Sequence, residues 1–568
     1  MGTIVSSIKE LDMHGLDLRW RRFVRSKLVP WSSAMVFTVF TFSVTAQTFL
    51  SSNLPVIVIN TNNQSILDEP KITADMGIID NGPGQRNYVS DPFNNYAGKI
   101  GIEIRGSSSQ MFPKKQYGIE LRDATGNGIS MPLLGMPAEE DWVLFAPYND
   151  KSLMRDVLAY KLGRDLGRYA PRTRYCELVL NGQYQGVYVL IEKIKRDKNR
   201  VDVKKLEPTD NSGNSVTGGY IIKIDKESGS GNGGWISNYA PPGRSGDQRI
   251  YYQYDYPKAA NITAQQRTYI QQYMSTFEAT LIGTDFANPV VGYTRFVDVD
   301  SFIDFFIVNE VSKNVDGYRL STYLHKQRDS DGGKLLMGPV WDFNLGFGNC
   351  DYCTTGTPTG WVTSFNSVCP QDYWLIPFWW NRLYQDSNYR NRLAVRWAEL
   401  RADKFSTPRI HAYIDSVYTV LNSESAIRNF QKWPVLGQYV WPNFYVGSTF
   451  QSEVVWLKDW VTNRMNWLDL NMPKIVTGVE VKEFKVSVFP NPFHQELQVE
   501  YELEQGGDFT FEVCTPLGQS VVKHYQTQAQ AGTYRFSVQA ETPLLPGVYF
   551  YKAKRAGVEV TGRIVKLD

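Results

Sequence analysis

A glycine- and serine-rich turn followed by two lysines is the first segment with residue types suited to phosphate. The turn follows the apolar stretch Lys99–Ile104, and its polar side chains are Arg105, Ser107, Ser108, Ser109, Lys114 and Lys115. Backbone N–H groups in a turn of small residues can approach an anion, hydroxyls add donors, and a following lysine can reach phosphate oxygens. A polar hairpin with a surface lysine has the same pattern, so spacing alone leaves both interpretations open.

Two aspartates at the ends of one predicted hairpin form a second candidate site. Asp316 lies in a short loop after an apolar helix, and Asp342 ends the second predicted strand. Phosphoryl transfer needs one carboxylate to orient or deprotonate the attacking hydroxyl and another to hold Mg²⁺ against the phosphates. The alternative is structural, because loop aspartates more often cap turns or end strands.

The elements that must position these residues change type along the chain. Short strands dominate residues 54–225, where one helix packs on a twisted sheet, and helices dominate residues 264–470. The predicted strands are Pro55–Ile59, Lys99–Ile104, Tyr117–Leu121, Trp142–Phe145, Cys176–Leu180, Tyr184–Glu192 and Gly219–Asp225. The predicted helices are Leu153–Leu166, Ala264–Leu281, Val299–Val311, Phe378–Arg401, Thr407–Asn422 and Ser452–Leu470. Asn181-Gly182 predicts a tight hairpin, and residues 321–342 predict a β excursion. These patterns indicate an α+β fold.

Helical patterning stops near residue 472. Residues 473–484 read as a linker, and from residue 485 to 568 apolar alternation recurs every ten or so residues between Gly and Pro turns. This spacing predicts a small C-terminal β-sandwich.

Overall charge argues against nucleic acid as a partner. The 568 residues include 60 basic and 58 acidic side chains, for a net charge of +2. No basic stripe is visible that would attract a polyanion locally. The aromatic fraction of 14% is high, and aromatic surfaces pack cores or stack on sugars. Trp433 and Trp441, in a Pro/Gly-containing loop, are the candidates for exposed aromatics, whereas Trp456, Trp460 and Trp467 have the spacing of a helix core.

The N-terminus has the pattern of a secretory signal peptide. Five basic residues between positions 19 and 27 precede an apolar stretch from Trp31 to Val44, and small residues follow. We predict cleavage after Ala46, so that residues 1–46 are removed. The alternative, a membrane anchor, needs about 20 apolar residues. No other segment is expected to span a membrane.

Cysteine usage agrees with export. Cys350, Cys353 and Cys369 are close in sequence, and a zinc site would lack a fourth ligand. One disulfide among the three is expected in an oxidising compartment, and the sequence does not select the pair.

Several blocks together resemble the CotH kinase family. They are Arg105-Gly-Ser-Ser-Ser with Lys114-Lys115, residues 141–155, residues 181–192, residues 313–318 and Trp341-Asp-Phe-Asn344, in the family's order. The resemblance covers roughly residues 54–470, and the domain is expected to span residues 47–472. It implies a minimal protein-kinase-like, two-lobed domain that transfers phosphate from ATP to protein Ser or Thr hydroxyls with Mg²⁺.

The resemblance also implies roles for individual residues. Lys115, or Lys114, would neutralise ATP phosphates beneath a loop shaped by Arg105 and residues 107–109. Asp316 would be the catalytic carboxylate, and Glu192 would contact nucleotide or be structural. Asp342 would bind Mg²⁺, as the aspartate of the kinase D-F-G segment does. Asp156 is expected to pair with the active-site lysine or to form a surface ion pair.

Two positions depart from the kinase pattern. Ser321 stands where kinases place the Asn that holds a second metal, and Asn344 stands where a second acidic residue is expected. Neutral oxygen ligands lower Mg²⁺ affinity. The alternatives are therefore a weak or inactive surface binding or adhesion module, or an accessory to extracellular polysaccharide degradation. The protein substrate is not predicted.

The tail resembles the C-terminal sorting domain of the type IX secretion system of Bacteroidetes. The matching elements are Val486-Ser-Val-Phe-Pro-Asn-Pro-Phe493, Gly547-Val-Tyr-Phe-Tyr and the closing Arg563-Ile-Val-Lys-Leu-Asp568. This resemblance implies that residues 485–568 engage the secretion machinery. It also implies that the protein is secreted or attached to the outer-membrane surface.

Overall fold

The computed structural model describes residues 49–226, 233–242, 248–476, 486–503, 506–516, 519–538, 543–555 and 558–568. The predicted signal peptide 1–46 lies outside the described residues, and so do residues 477–484 of the predicted linker. None of the helices in the described ranges is long and apolar enough to cross a membrane.

Strands of the first part of the chain close into a barrel rather than an open twisted sheet. In chain order they are Val56–Asn60, Ile72–Ile79, Tyr96–Arg105, Gln116–Arg122, Asp141–Phe145, Thr173–Leu180 and Gln183–Glu192. Neighbouring strands are antiparallel, except that Val56–Asn60 pairs in parallel with Thr173–Leu180 and closes the barrel. Alternate residues such as Ile102, Ile119 and Leu144 fill the interior, so the intervening residues face outward. The predicted strands of this part are confirmed within a few residues.

The predicted hairpin at Asn181-Gly182 is confirmed. Both residues have positive φ, 49° and 73°, as a tight turn between antiparallel strands requires. The Asn181 side chain also accepts a hydrogen bond from the backbone N–H of Thr61, at 2.8 Å. The turn is therefore tied to the next strand of the barrel.

A second sheet follows the barrel. Its strands, in spatial order, are Gly234–Ile236, Tyr251–Tyr256, Tyr220–Ile224, Thr322–Lys326 and Leu335–Met337. The β excursion ends at Met337, earlier than predicted. Gly338 has a φ of 103°, and Pro339 has no N–H to continue the ladder. Asp342 therefore lies in a loop beyond the sheet.

Helices pack around the long apolar helix Val299–Ser312. The α-helices are Arg155–Asp165, Ala264–Ile282, Val299–Ser312, Phe365–Val368, Trp379–Leu383, Ser387–Ala402, Thr407–Asn422, Ser425–Lys432 and Phe450–Asn471. Asp298 caps the apolar helix by accepting from Ser301 N–H, and Lys313 ends it in the left-handed conformation. The helix predicted over 378–401 is divided, because Asp386 caps a new helix start at Ser387.

The described tail is β-rich throughout. One sheet contains Val486–Phe489, Gln498–Leu503 and Gly532–Ser537, and another contains Gly507–Cys514, Ser520–Ala529, Gly547–Arg555 and Val558–Lys566. Tyr501 of the first sheet stacks on Phe509 of the second, within a shared apolar core. The α+β class is confirmed for the chain.

Cys353 and Cys369 form a disulfide with a Cα–Cα distance of 5.4 Å. Cys350, the third member of the group, is buried as a free thiol. The expectation of one disulfide among these cysteines is confirmed, and the fold selects the pair.

Candidate functional site

A cleft of about 830 Å³ lies between the outer face of the barrel and the second sheet. Its barrel side comes from the strands Tyr96–Arg105, Gln116–Arg122 and Asp141–Phe145, and its other side from the loops around Asp316 and Asp342. Most of the predicted site residues line it: Arg105, Ser107, Ser108, Ser109, Asp316, Ser321, Asp342 and Asn344. The turn and the two aspartates, more than 200 residues apart in sequence, therefore share one concave site.

The predicted active-site lysines are not part of the cleft lining. Lys114 is 2% exposed and donates to Val187 O at 2.6 Å and Asn429 Oδ1 at 2.8 Å. Burial lowers its pKa to about 7. Lys115 donates to Gln110 O at 2.5 Å. The placement expected for these two lysines is therefore corrected: neither is part of the cleft lining, although Gln110, whose backbone oxygen Lys115 contacts, is.

Glu192 also lies outside the cleft lining. It is fully buried, and it accepts from Arg172 Nη1 at 2.7 Å and from Arg172 N–H at 2.9 Å. Of the two expected roles, a structural one agrees with this pairing.

The loop around Asp342 is held by the helix Arg155–Asp165. The backbone N–H of Asp342 donates to Tyr160 Oη at 3.2 Å, and that of Phe343 donates to Asp156 Oδ1 at 2.6 Å. Asp342 itself has a φ of 65°, a strained value for a residue other than glycine. Asp156 therefore positions the Asp342 loop, and no ion pair joins Asp156 to a lysine among the described residues.

Asp316 is held by Arg319, which donates from Nη2 to Asp316 Oδ1 at 2.8 Å. Asn314 connects the two loops: its amide nitrogen donates to Asp342 O at 3.1 Å, and its amide oxygen accepts from Asp316 N–H at 3.3 Å. Sequence reasoning missed Arg319 and Asn314. Both lie within three residues of Asp316, and this proximity in sequence is the signal that could have identified them.

Negative charge accumulates around Asp342. Burial, and then the neighbouring charge of Asp316, raises the pKa of Asp342 to about 6. Burial also raises the pKa of Asp316, although Arg319 opposes the shift. Asp225, a further cleft residue, contributes to both increases. A group of partly buried, incompletely neutralised carboxylates favours a cation.

The donor set fits a hard divalent cation such as Mg²⁺, which prefers oxygen ligands. Asp316 and Asp342 offer carboxylate oxygens. Asn344 donates through its amide nitrogen to Asn149 Oδ1 at 3.2 Å, and its Oδ1 accepts no hydrogen bond from any described residue. Ser321 supplies a hydroxyl to the same lining.

Arg105 and Lys226 are the cleft cations whose side chains make no hydrogen bond or ion pair with a residue in the described part of the chain. The Arg105 guanidinium lies over the ring of Trp341, 5.5 Å from the centroid. Lys226 Nζ lies over the ring of Trp374, 4.8 Å from the centroid. In contrast, Lys71 lies 3.5 Å from Glu120, and Lys223 lies 3.2 Å from Asp225.

The segment Lys223–Lys226 was missed as part of the site. Alternation along the strand Tyr220–Ile224 puts Lys223 and Asp225 on one face. Gln253 and Tyr323, paired with Lys223 on either side, also line the cleft. The alternation could be recognised in the sequence, but the sequence did not show which part of the fold this face of the strand lies opposite.

Three carboxylates adjacent in sequence, one of them from the cleft residue Asp141, do not form a comparable cation site. The carboxylates of Glu139, Glu140 and Asp141 lie within 4.8 Å of one another. Lys195 Nζ already contacts all three, at 2.8, 2.6 and 2.8 Å. This cluster is therefore a neutralised ion-pair network.

The two tryptophans expected to be exposed differ. Trp433 is half-buried and donates to Gln185 O at 2.8 Å, so the expectation is wrong there. Trp441 is 40% exposed and lies at the cleft.

Comparison with known protein families gives two matches, one in the central part of the chain and one in the tail. A family model described as CotH kinase protein matches residues 102–468, more than half of the chain. A second model, described as a secretion system C-terminal sorting domain, matches residues 487–567. That domain implies an origin in Bacteroidetes, use of the type IX secretion machinery, and secretion with cell-surface attachment. A search of curated proteins found no match. Because the first model matches residues 102–468, this chain belongs to the CotH kinase protein family.

Proposed function

We propose that this chain is an ATP- and Mg²⁺-dependent phosphotransferase with a two-lobed, kinase-like architecture, acting on Ser or Thr hydroxyls of proteins. The observation that carries the proposal is the meeting of Asp316, Asp342 and the unpaired Arg105 in one cleft. Phosphoryl transfer depends mainly on positioning and on electrostatic stabilisation, which need this combination of groups. The cleft volume of about 830 Å³ is within the usual range for ligand pockets.

Each carboxylate has a distinct role in this proposal. Asp342, with Asn344 and Ser321 as neutral ligands, would hold the metal, which neutralises the phosphates when bound. Asp316 would orient the acceptor hydroxyl and take its proton. Its raised pKa favours proton acceptance over that of an ordinary aspartate, and Arg319 keeps it in place.

Arg105 replaces the two lysines as the proposed phosphate-binding cation. Its guanidinium offers several donors in a fixed geometry that suits phosphate oxygens. The neighbouring turn Ser108–Met111, with Gly106 at a φ of 108°, exposes hydroxyls and backbone N–H groups to the same lining. A side chain at position 106 would clash with Ser109 Oγ, 2.1 Å from an ideal Cβ.

The proposal includes export of the protein and a division of the chain into four segments. Residues 1–46 would be a cleaved signal peptide, residues 47–472 the kinase-like domain, residues 473–484 a linker and residues 485–568 the sorting domain. The apolar cores of the barrel and of the described tail are separate, which supports the last boundary.

The proposal is tested with the purified full chain, γ-labelled ATP and Mg²⁺. We expect self-labelling or labelling of a generic protein substrate, reduced about 100-fold or more by Asp316→Asn, since loss of a general base costs 10²–10⁴-fold. Asp415→Asn, a half-exposed aspartate paired with Lys458 at the surface, is the matched control. Absence of both labelling and an ATP-dependent thermal shift would refute the proposal. ATP binding without transfer would instead favour the binding-module alternative.

Arg105→Ala and Lys115→Ala are expected to affect nucleotide affinity to different extents. Arg105→Ala should weaken ATP binding roughly tenfold or more, because a charge-assisted hydrogen bond contributes about 1.5–3 kcal/mol. Lys115→Ala should change it by about twofold or less, because Lys115 lies outside the lining. Titration calorimetry with ATP and Mg²⁺ measures both. A larger loss for Lys115→Ala would restore the lysine as the phosphate ligand.

A further inference from the structure

Lys226 lines the cleft on the side of the second sheet, just beyond the strand Tyr220–Ile224. Its backbone is held in place: its N–H donates to Asp225 Oδ1 at 2.9 Å, and its carbonyl oxygen accepts from Gln253 Nε2. The Asp225 carboxylate forms its ion pair with Lys223, at 3.2 Å. The Lys226 ammonium therefore lies at the cleft without a paired carboxylate among the residues that the structure describes.

Trp374 connects Lys226 to the residues that hold Asp316. Lys226 Nζ lies 4.8 Å from the centroid of the Trp374 ring. The backbone oxygen of Trp374 accepts from Arg319 Nη1 at 3.0 Å, and Arg319 Nη2 donates to Asp316 Oδ1 at 2.8 Å. These contacts place Lys226 on the same side of the cleft as Asp316.

The charge of Lys226 acts on both aspartates of the site. Burial raises the pKa of Asp316 and that of Asp342, and the positive charge of Lys226 opposes the increase at each. Because the interaction between charges weakens with distance, this double effect agrees with an ammonium group close to both carboxylates. A group that passes between Asp316 and Asp342 is therefore within the field of Lys226.

Arg319, the other cation beside Asp316, has its donors engaged within the fold. Its side chain is 3% exposed. Nε donates to Val315 O at 2.8 Å, and Nη1 donates to Asp372 Oδ1 at 3.2 Å as well as to Trp374 O. A lysine ammonium has three donors on a flexible stem, and those of Lys226 are available to a ligand in the cleft.

We propose that Lys226 is a further catalytic residue, which contacts the γ-phosphoryl group of ATP during its transfer. This inference rests on the proposed function. The acceptor oxygen forms a bond to the γ-phosphorus, the bond from that phosphorus to the β–γ bridging oxygen breaks, and ADP leaves with the electron pair. The hydroxyl proton goes to Asp316. Lys226 keeps its own proton and donates to the equatorial phosphoryl oxygens, over which the negative charge is spread.

The two unpaired cations of the cleft then have separable effects. Arg105 binds phosphate oxygens of the nucleotide before transfer, so its loss lowers ATP affinity. Lys226 acts on the group in transfer, and an interaction that is strongest in the transition state raises kcat more than it raises affinity for the substrate.

The first test measures steady-state labelling by the full chain with γ-labelled ATP, Mg²⁺ and casein. Lys226→Met removes the charge and keeps a side chain of similar length. It should lower kcat about 100-fold, as does the loss of one donor to a developing charge, and change KM for ATP by about threefold or less. Lys226→Arg keeps the charge and should retain at least about a tenth of the native kcat. Lys205→Met, at an exposed lysine paired with Glu207, is the control.

The second test does not depend on turnover. ADP with aluminium fluoride and Mg²⁺ mimics the phosphoryl group in transfer, and titration calorimetry compares its affinity with that of ATP. Lys226→Met should weaken binding of the mimic about 100-fold and binding of ATP by about threefold or less. A residue with only a structural role would weaken both to the same extent.

Different results would overturn the role of Lys226 and the proposed function. Absence of labelling by the native chain would overturn both. Labelling by the native chain, together with a kcat for Lys226→Met within about threefold of native, would overturn the role of Lys226 alone. The same holds for equal losses of kcat in Lys226→Arg and Lys226→Met, or for equal losses of affinity for ATP and for the mimic.

Discussion

Asp342→Asn should reduce phosphoryl transfer by roughly two to three orders of magnitude and yet stabilise the metal-free protein. The loss of activity is that expected when one well-placed electrostatic group is removed. The gain in stability has a separate cause. At pH 7 the native fold holds an ionised Asp342 against burial and against the charge of Asp316, and asparagine removes that repulsion while retaining a polar group of similar size.

The pH dependence of stability distinguishes this cause from others. The pKa of Asp342 is about 6 in the fold and 3.8 without the fold's influence. Between these values the native state binds more protons than the unfolded state, so the free energy of unfolding falls as pH rises. The destabilisation is fully present above about pH 6 and is on the order of 1–3 kcal/mol. It is relieved as pH falls toward 4.

Urea denaturation with a chelator, at pH 7 and at pH 5, measures this effect. Asp342→Asn should exceed the native chain in stability at pH 7, and the difference should shrink at pH 5. Asp415→Asn serves as the control, since it removes an exposed aspartate whose partner is Lys458. An Asp342→Asn protein that is less stable than the native chain at pH 7 would show that Asp342 is a structural residue.

Arg464→Ala should destabilise the chain by about 3–5 kcal/mol, the usual cost of removing one member of a buried ion pair. Arg464 Nη2 lies 3.0 Å from Glu310 Oε2, and both side chains are 0% exposed. Arg464 also donates to the backbone oxygens of Glu310, Pro358 and Gly360. Its loss leaves a buried charge and several buried oxygens without partners.

The same pair supports the cleft. Glu310 accepts from Tyr318 Oη at 3.2 Å and from the N–H groups of Val362 and Thr363. Tyr318 belongs to the loop that carries Asp316, so activity should fall together with stability. Lys458→Ala, on the same helix but in an exposed pair, should cost about 1 kcal/mol or less. Equal urea midpoints for the two variants would contradict the importance of the buried pair.

Predictions from the sequence succeeded for elements that depend only on residues close together in the chain. Asn181-Gly182 requires only that two adjacent residues accept positive φ, and the hairpin follows. The helix over residues 299–311 follows from apolar residues on all its faces. Closure of the barrel was not predicted, because it depends on parallel pairing of Val56–Asn60 with Thr173–Leu180, and local alternation does not reveal partners distant in the chain.

The sequence by itself determined that a polar turn, two loop aspartates and a sorting tail exist, because each depends on neighbouring residues. Only the tertiary structure decided which cations line the cleft. Alternation determines which side chains share a face of a strand, but not which face meets the other half of the domain. Arg105 ends a barrel strand on the cleft side, whereas Lys114 and Lys115 lie beyond a chain turn and donate to the backbone oxygens of Val187 and Gln110. That choice depends on contacts across the whole domain, such as the one from Lys114 to Asn429.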